Sequence, residues 1–363
     1  MNRVPTNAMR RPKAVVAIFL ICISLLAVPC TVRADQGLFS VTNAPVINIS
    51  IAGGTVTIRT WDRAQVQTES NVPLQVQQFS SAQMARNVPR EITVLAGQTP
   101  SPRGVLTLPR ETFVLGASAS GAHDGLAITG SGGETTITIP SSTALLVARM
   151  PRGFVTLDGY RGGTFFVRLR NGWVHLLNLG GEGFVQVMRG PIVASDSTFV
   201  RLRARSAIGN MLFVRCHARQ IEVSSIAGSV SYDNGSFEPG LARFETQYGN
   251  VALGVGSGNA QIVAHSEGGR ILYNYERRAT VDARGNDATA AVGANGPLVN
   301  VSSGGSILLY DGVLRARSRL NGGWRVAGDA VQRVQRRVER PPPQIQPRRP
   351  PARPRPIRPS AIH

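Results

Sequence analysis

One short phrase, Ser/Thr-x-x-Gly-x-apolar, recurs five times in the second half of the chain, at residues 206–211, 225–230, 246–251, 266–271 and 302–307. Its glycines, Gly209, Gly228, Gly249, Gly269 and Gly305, step by 19, 21, 20 and 36 residues. A period near 20 marks a chain built of similar coils, each burying its apolar side against the next. The 36-residue step reads as nearly two periods with one worn copy between. Upstream, Gly153, Gly162, Gly172, Gly181 and Gly190 fall 9 or 10 apart, half the later period. So short a coil must turn sharply at least twice, and glycine takes the positive φ of such corners at least cost. The Ser or Thr three residues before each glycine is placed to hydrogen-bond back onto the turn backbone.

Between the glycines the text has period two. The second and fourth residues after glycine are Val155/Leu157, Val174/Leu176, Val185/Val187, Val230/Tyr232, Val251/Leu253, Ile271/Tyr273 and Ile307/Leu309, all apolar or aromatic. That column predicts the core, with the intervening residues facing water. No long stretch repeats at 3.6 residues. The expected class is all-β, a β-solenoid with coils of about 20 residues.

The ends differ from the body. Residues 1–34 read as a signal peptide: Arg3, Arg10, Arg11 and Lys13, then an apolar run of 15 residues over 14–28, then Val32-Arg33-Ala34 before Asp35. That run is short of the roughly 20 residues a span needs, so no transmembrane span is expected in the mature chain. Residues 35–134 read as an irregular N-terminal β region, least legible over 70–130, and 135–327 as the β-solenoid repeats. Residues 328–363 form an Arg/Pro-rich tail with a short helix at its start. Its stretch 340–360 holds nine prolines and six arginines, a composition expected to stay disordered and extended.

Of the net charge of +19, the segment 333–363 supplies +8, nine arginines against Glu339 alone. Arg348, Arg349, Arg353, Arg355 and Arg358 are therefore the candidates for contact with polyanions, namely anionic envelope polymers or lipid headgroups. Guanidinium suits phosphate and carboxylate by its bidentate geometry. Nucleic acid is not expected of an exported chain. Cys22 and Cys30 leave with the signal, so Cys216 stands alone and no internal disulfide is expected.

The phrase 54–62 (Gly-Thr-Val-Thr-Ile-Arg-Thr-Trp-Asp) with Val66, the step Ile137-Thr138-Ile139-Pro140 and the glycine coils together resemble one family. It is the bacterial putative-adhesin family of β-strand-repeat envelope proteins, a domain of unknown function. The resemblance runs over about 39–312 and implies a single-stranded right-handed solenoid outside the cell. It brings no catalytic or binding residues with it.

Chemistry is sparse. Sugar-cleaving β-solenoid enzymes need clustered carboxylates, whereas Asp158, Asp196, Asp233 and Asp311 each sit beside a turn, where Asp is favoured for its own backbone bonds. His175, His217 and His265 lack a metal-ligand rhythm, and His265 shares a strand face with Glu267. No cofactor or metal is expected. Tyr232, Tyr248, Tyr273, Tyr275 and Tyr310 fit either a sugar-binding groove or stacked coil aromatics. The expected function is a non-enzymatic, exported envelope protein acting by binding or scaffolding, in the periplasm, at the cell surface or outside the cell. The alternative is a polysaccharide-active β-helix lyase or hydrolase.

Overall fold

The computed structural model describes residues 31–79, 125–256, 258–275 and 279–311. These belong to one compact unit, Met1–Val313; a second unit, Leu314–His363, lies outside the described residues. Of the expected signal peptide, 1–34, residues 1–30 lie outside them, as do the tail and its short helix, while residues 31–34 form the start of a strand. Every regular element among the described residues is a strand, so the all-β class holds.

The N-terminal end contains β1 (Thr31–Ser40), β2 (Val46–Ile51), β3 (Thr55–Trp61), β4 (Gln65–Phe79), β5 (Gly125–Gly130), β6 (Glu134–Pro140) and β7 (Leu145–Asp158). The β2 strand pairs in parallel with both β5 and β7, and β3 with both β6 and β7. The first coil therefore lies between two later ones. The long β4 runs antiparallel along β6 and then β5, and β1 runs antiparallel along β4. Two antiparallel strands thus cover the open edge that a stack of parallel coils would leave.

The middle contains β8 (Thr164–Leu177), β9 (Gly180–Arg189), β10 (Ile192–Ser195), β11 (Thr198–Ile208), β12 (Met211–Val214), β13 (His217–Ala227), β14 (Val230–Phe237), β15 (Ala242–Tyr248) and β16 (Val251–Val255). Strands one period apart pair in parallel and in register, as Val174, Ile192, Met211, Val230 and Val251 do in turn. A simple solenoid predicts two separate open ladders. The hydrogen bonding instead joins them: β13 also pairs with the end of β14, at His217 with Ser236 and Ala218 with Phe237. The result is a closed ring of parallel strands, β8–β9–β11–β13–β14–β12–β10, a barrel-like closure. Strands as long as β8 and β13 bend round a corner and keep pairing, which an alternation pattern does not disclose.

The C-terminal end contains β17 (Ala260–Ser266), β18 (Ile271–Asn274), β19 (Ala279–Arg284), β20 (Asp287–Val292), β21 (Leu298–Ser303) and β22 (Ile307–Asp311). Here the expectation of a worn copy fails. The 36-residue step holds a β19–β20 hairpin whose β20 strand runs antiparallel to β17, and the chain then returns to place β21 between β15 and β17 and β22 between β16 and β18.

The column of corner glycines has a steric cause. A methyl added at Gly172 would overlap the carbonyl oxygen of Gly153, and one at Gly190 that of Gly172; the same relation runs through Gly209, Gly228 and Gly249. Gly172 also takes φ 137°, so backbone proximity and torsion both demand glycine. The hydroxyls before the glycines act differently from expectation. Thr246, Ser303 and Ser266 donate to the glycine carbonyls of neighbouring coils, Gly228, Gly249 and Gly305, each at 2.8 Å. They tie coil to coil. Only Ser303 and Ser266 also accept from their own turns, from Gly305 N and Gly269 N at 3.1 Å.

The second corner solves the same torsional problem with polar residues. Asn178, Asp196, Arg215 and Asn234, one per coil, all take φ near 50°. Arg215 is the costly member, and its guanidinium grips Asp196 bidentately at 2.6 and 2.7 Å.

The predicted core column is buried except at the pair Ile271/Tyr273, where Ile271 is half-buried and Tyr273 exposed; among the described residues β18 has β22 as its one strand partner. Val185 and Val187 are buried too, but on the opposite ladder. Gly183 is no corner: it lies inside β9, where any side chain would strike the Phe165 ring.

Candidate functional site

A shallow, open concavity lies at the N-terminal end, between β1, β3 and β4. Antiparallel register sets Leu38 opposite Gln67 and Gly37 opposite Thr68. Alternation then sends Leu38 and Gln67 to one side of the pair, and Gly37 and Thr68 to the other. The β3 strand ends at Trp61, and its indole Nε1 donates to the carbonyl of Gln65 at 2.7 Å across the turn. That bond fixes the ring plane at the mouth. The Arg63 guanidinium stands 5.2 Å from the ring centroid, in cation–π range.

These residues, with Gln36, bound a cleft of about 330 Å³. Leu38 gives it an exposed apolar wall. At its inner side Thr68 is fully buried, and its Oγ1 has no hydrogen-bond partner. Such an orphan costs about 1–3 kcal/mol unless something bonds it. Gly37 lies beside it, and the Phe39 ring fills the place its side chain would take: a methyl added there would lie 2.5 Å from that ring and 3.1 Å from Thr68 Oγ1. Gln67 Nε2 donates to Glu69 Oε1 at 2.7 Å, which directs that amide oxygen outward from the pair. The cleft therefore presents a locked indole with a guanidinium over its ring and two amides, while the unbonded Thr68 hydroxyl is buried on the other side of the β1–β4 pair.

The candidates read from sequence lie elsewhere and do not gather. Arg348, Arg349, Arg353, Arg355 and Arg358 fall outside the described residues. Asp158 accepts from Asn178, Asp196 is held by Arg215, and Asp233 is buried and accepts from Tyr310 Oη at 3.1 Å. Four strands, β8, β10, β12 and β14, carry the register from Asp158 to Asp233, so these two do not form a pair. Among the described residues no three His, Cys, Asp or Glu side chains group to hold a metal ion.

His265 pairs with Asp287 at 2.7 Å, not with Glu267, because the β20 strand returns beside β17. His175 is half-buried, and desolvation lowers its pKa, with Asp158 opposing in part. The Cys216 thiol is buried and pushed up to about 12 by that burial, which leaves it a packing group. Tyr232 and Tyr310 are buried, Tyr232 donating to the carbonyls of Cys216 and Ser236, while Tyr248 and Tyr273 are exposed. The tyrosines are thus divided between core and surface and make no common groove. No helix of the described residues is long and apolar enough to cross a membrane.

No family model matches this chain, and no curated protein matches it. A solved structure of a putative cell adhesion protein from Clostridium sporogenes is similar at 10% identity, over 78% of this chain and 100% of that chain, with a TM-score of 0.16. The likeness is too slight to assign a fold.

Proposed function

We propose that this chain is a non-enzymatic, exported cell-envelope protein that binds or scaffolds through its surface, in the manner of an adhesin. On this reading its coils of about 20 residues wind as a single-stranded right-handed solenoid, closed at both ends by antiparallel strands. The observation that carries the reading is the row structure of the outward faces. Arg149, Arg168, Gln186 and Arg205 stand in one register row across β7, β8, β9 and β11. Arg203 and Glu222 pair in the next row at 2.7 Å. Rows at strand spacing, about 4.8 Å, on a body locked by glycine and hydroxyl ladders suit contact with a repeating polymer.

In this proposal the tail adds reach. Each arginine near an anionic surface contributes about 1 kcal/mol at low salt, screened beyond about 8–10 Å at physiological ionic strength. The test is co-sedimentation of the full chain with isolated envelope fractions and with anionic vesicles, at low and high salt. Binding that survives purification, with no release of reducing or unsaturated ends, is the expected result. Deletion of 333–363 is expected to remove the salt-sensitive part and leave the unfolding transition unchanged. Sustained release of sugar ends, abolished by substitution of one aspartate, overturns the reading in favour of a polysaccharide-active enzyme.

A further inference from the structure

We infer that the outer corner of the coil stack, the ridge from Arg152 to Tyr248, lies against the anionic interface of a lipid membrane. The inference goes beyond the tail-borne attraction proposed above, because it places a contact on the folded body.

The ridge is a product of the glycine column. In each coil the residue three before the corner glycine, as Leu169, Val187 and Thr246 are, points inward and is buried. The two residues that follow it turn outward. Arg152, Asn171, Arg189, Ile208, Ala227 and Tyr248, each just before its glycine, stand in one register row across β7, β8, β9, β11, β13 and β15. Five strand steps of about 4.8 Å make that row about 24 Å long. The close stacking of the glycines beneath fixes its spacing.

The ridge has two chemistries. Toward its first coils, Arg152, Arg189 and, one residue earlier in its own coil, Arg170 are exposed cations. Toward its later coils, Met188, Ile208 and Tyr248 are 37, 52 and 67% exposed, with Ile226 and Ala227 half-buried between them. Just past the glycines, exposed Phe154 meets Trp173 edge-on at 5.8 Å between ring centroids. The two residues before each of these six glycines include no acid.

Single exposed apolar residues need no partner, but a row of them implies one. Arginines beside tryptophan, tyrosine and aliphatic side chains suit a membrane interface, where guanidinium meets headgroup phosphate and the apolar groups enter the acyl boundary. A glycan or peptide held in a groove needs a concavity, and an outer corner offers none. A plane can meet such an edge along its whole length.

The experiment uses the full chain with Cys22→Ser and Cys30→Ser. Cys216 remains, its buried thiol unreactive near neutral pH. Ala227→Cys carries an environment-sensitive fluorophore on the ridge. In a second protein Leu241→Cys carries it just before β15, about 23 Å along that strand from Tyr248. Vesicles of phosphatidylglycerol and phosphatidylethanolamine in equal parts are compared with phosphatidylcholine alone.

The expected result is a blue shift, with quenching by spin-labelled acyl chains, for the ridge label on the anionic vesicles and not for the label before β15. Exchange of Arg152, Arg170 and Arg189 for glutamine weakens partitioning on the order of a hundredfold, about fivefold for each arginine. Ile208→Ser with Tyr248→Ser weakens it about tenfold. These positions are exposed, so the melting temperatures stay within a few degrees of the parent. Exchange of the arginines of 333–363 for glutamine lowers affinity but leaves the blue shift of the ridge label at saturating lipid.

Equal blue shifts at the two labels, or partitioning that both ridge variants leave intact, overturn the inference. A shift of the ridge label that needs no lipid and grows with protein concentration, together with dimer sedimentation, reassigns the ridge to a second copy and overturns it as well. Binding to envelope fractions without binding to vesicles removes the ridge contact and leaves the binding-protein reading standing.

Discussion

Gly305 donates its amide to the carbonyl of Gly249 at 2.9 Å, although Gly269, the corner glycine of another coil, lies between them in the chain. Gly269 stacks on the far side of Gly305. Spatial order at this end is therefore not chain order, and the same interchange occurs at the other end, where β2 and β3 sit between later strands.

The glycine column predicts a sharp contrast. Gly172→Ala places a methyl against the Gly153 carbonyl at φ 137° and is expected to cost at least about 3–4 kcal/mol, or to prevent folding. Gly285→Ala has nothing within 4 Å of the new methyl and pays only the φ 61° torsion, about 1–2 kcal/mol. Urea unfolding of the two variants measures the difference. Equal losses would mean that torsion alone, not coil-to-coil approach, selects glycine.

The face assignment is tested at two adjacent residues. Val251 is fully buried, so Val251→Asp strands a charge between coils and is expected to cost several kcal/mol. Asn250 lies at the corner, and its Oδ1 accepts the amide of Ser306 at 2.8 Å. Asn250→Asp keeps that acceptor and is expected to change stability by less than about 0.5 kcal/mol. Thermal unfolding separates these outcomes by many degrees.

The hydroxyl ladder gives a smaller, specific effect. Thr246→Val preserves shape and removes the donor to the Gly228 carbonyl, an inter-coil bond of 2.8 Å. The expected loss is about 1–2 kcal/mol. A variant as stable as the parent would show that the Gly228 carbonyl has another donor.

His175 sets a pH dependence. Desolvation holds its pKa below the ordinary value, so the unfolded chain takes up the proton first. Its contribution is then complete above about pH 6.5 and declines as pH falls below that towards the folded value. The unfolding midpoint is expected to drop between about pH 7 and 5, and His175→Gln to flatten that part of the curve. An unchanged slope in the variant assigns the drop to other groups.

The parts of this fold that could be read in advance are those where sterics leave a mark on composition. Gly172, Gly190 and Gly209 are visible because no other residue tolerates the carbonyl beneath them. Val230, Val251 and Ile307 are visible because a two-residue period has one physical meaning in a half-buried sheet. Coil order was not legible, because every coil presents the same Ser/Thr, glycine and apolar column to its neighbours, and the backbone pairs equally well with either. Ring closure was hidden for a similar reason, since His217 and Ala218 pair with Ser236 and Phe237 through the backbone, and the added contact of His217 Nδ1 with Ser236 Oγ leaves no mark on the repeat spacing.

The cleft was the least legible element. Gly37, Trp61, Arg63 and Thr68 come from three strands and the turn between β3 and β4, so no spacing connects them. Trp61 and Arg63, two residues apart at the end of an alternating strand pattern, were its one usable sign.

The interchanged coils also set a timetable. A chain made from its N-terminus delivers β17 and β18 before β21 and β22, the strands on which they rest. The C-terminal end therefore cannot close until residue 311 has emerged, and β2 and β3 likewise wait for residues 125–158. Any chain stopped before Leu298 leaves β15 and β16 as bare edges, open to pairing with other chains. Emergence of residue 311 and loss of those bare edges are thus the same event, which distinguishes a chain that has reached β22 from any shorter one.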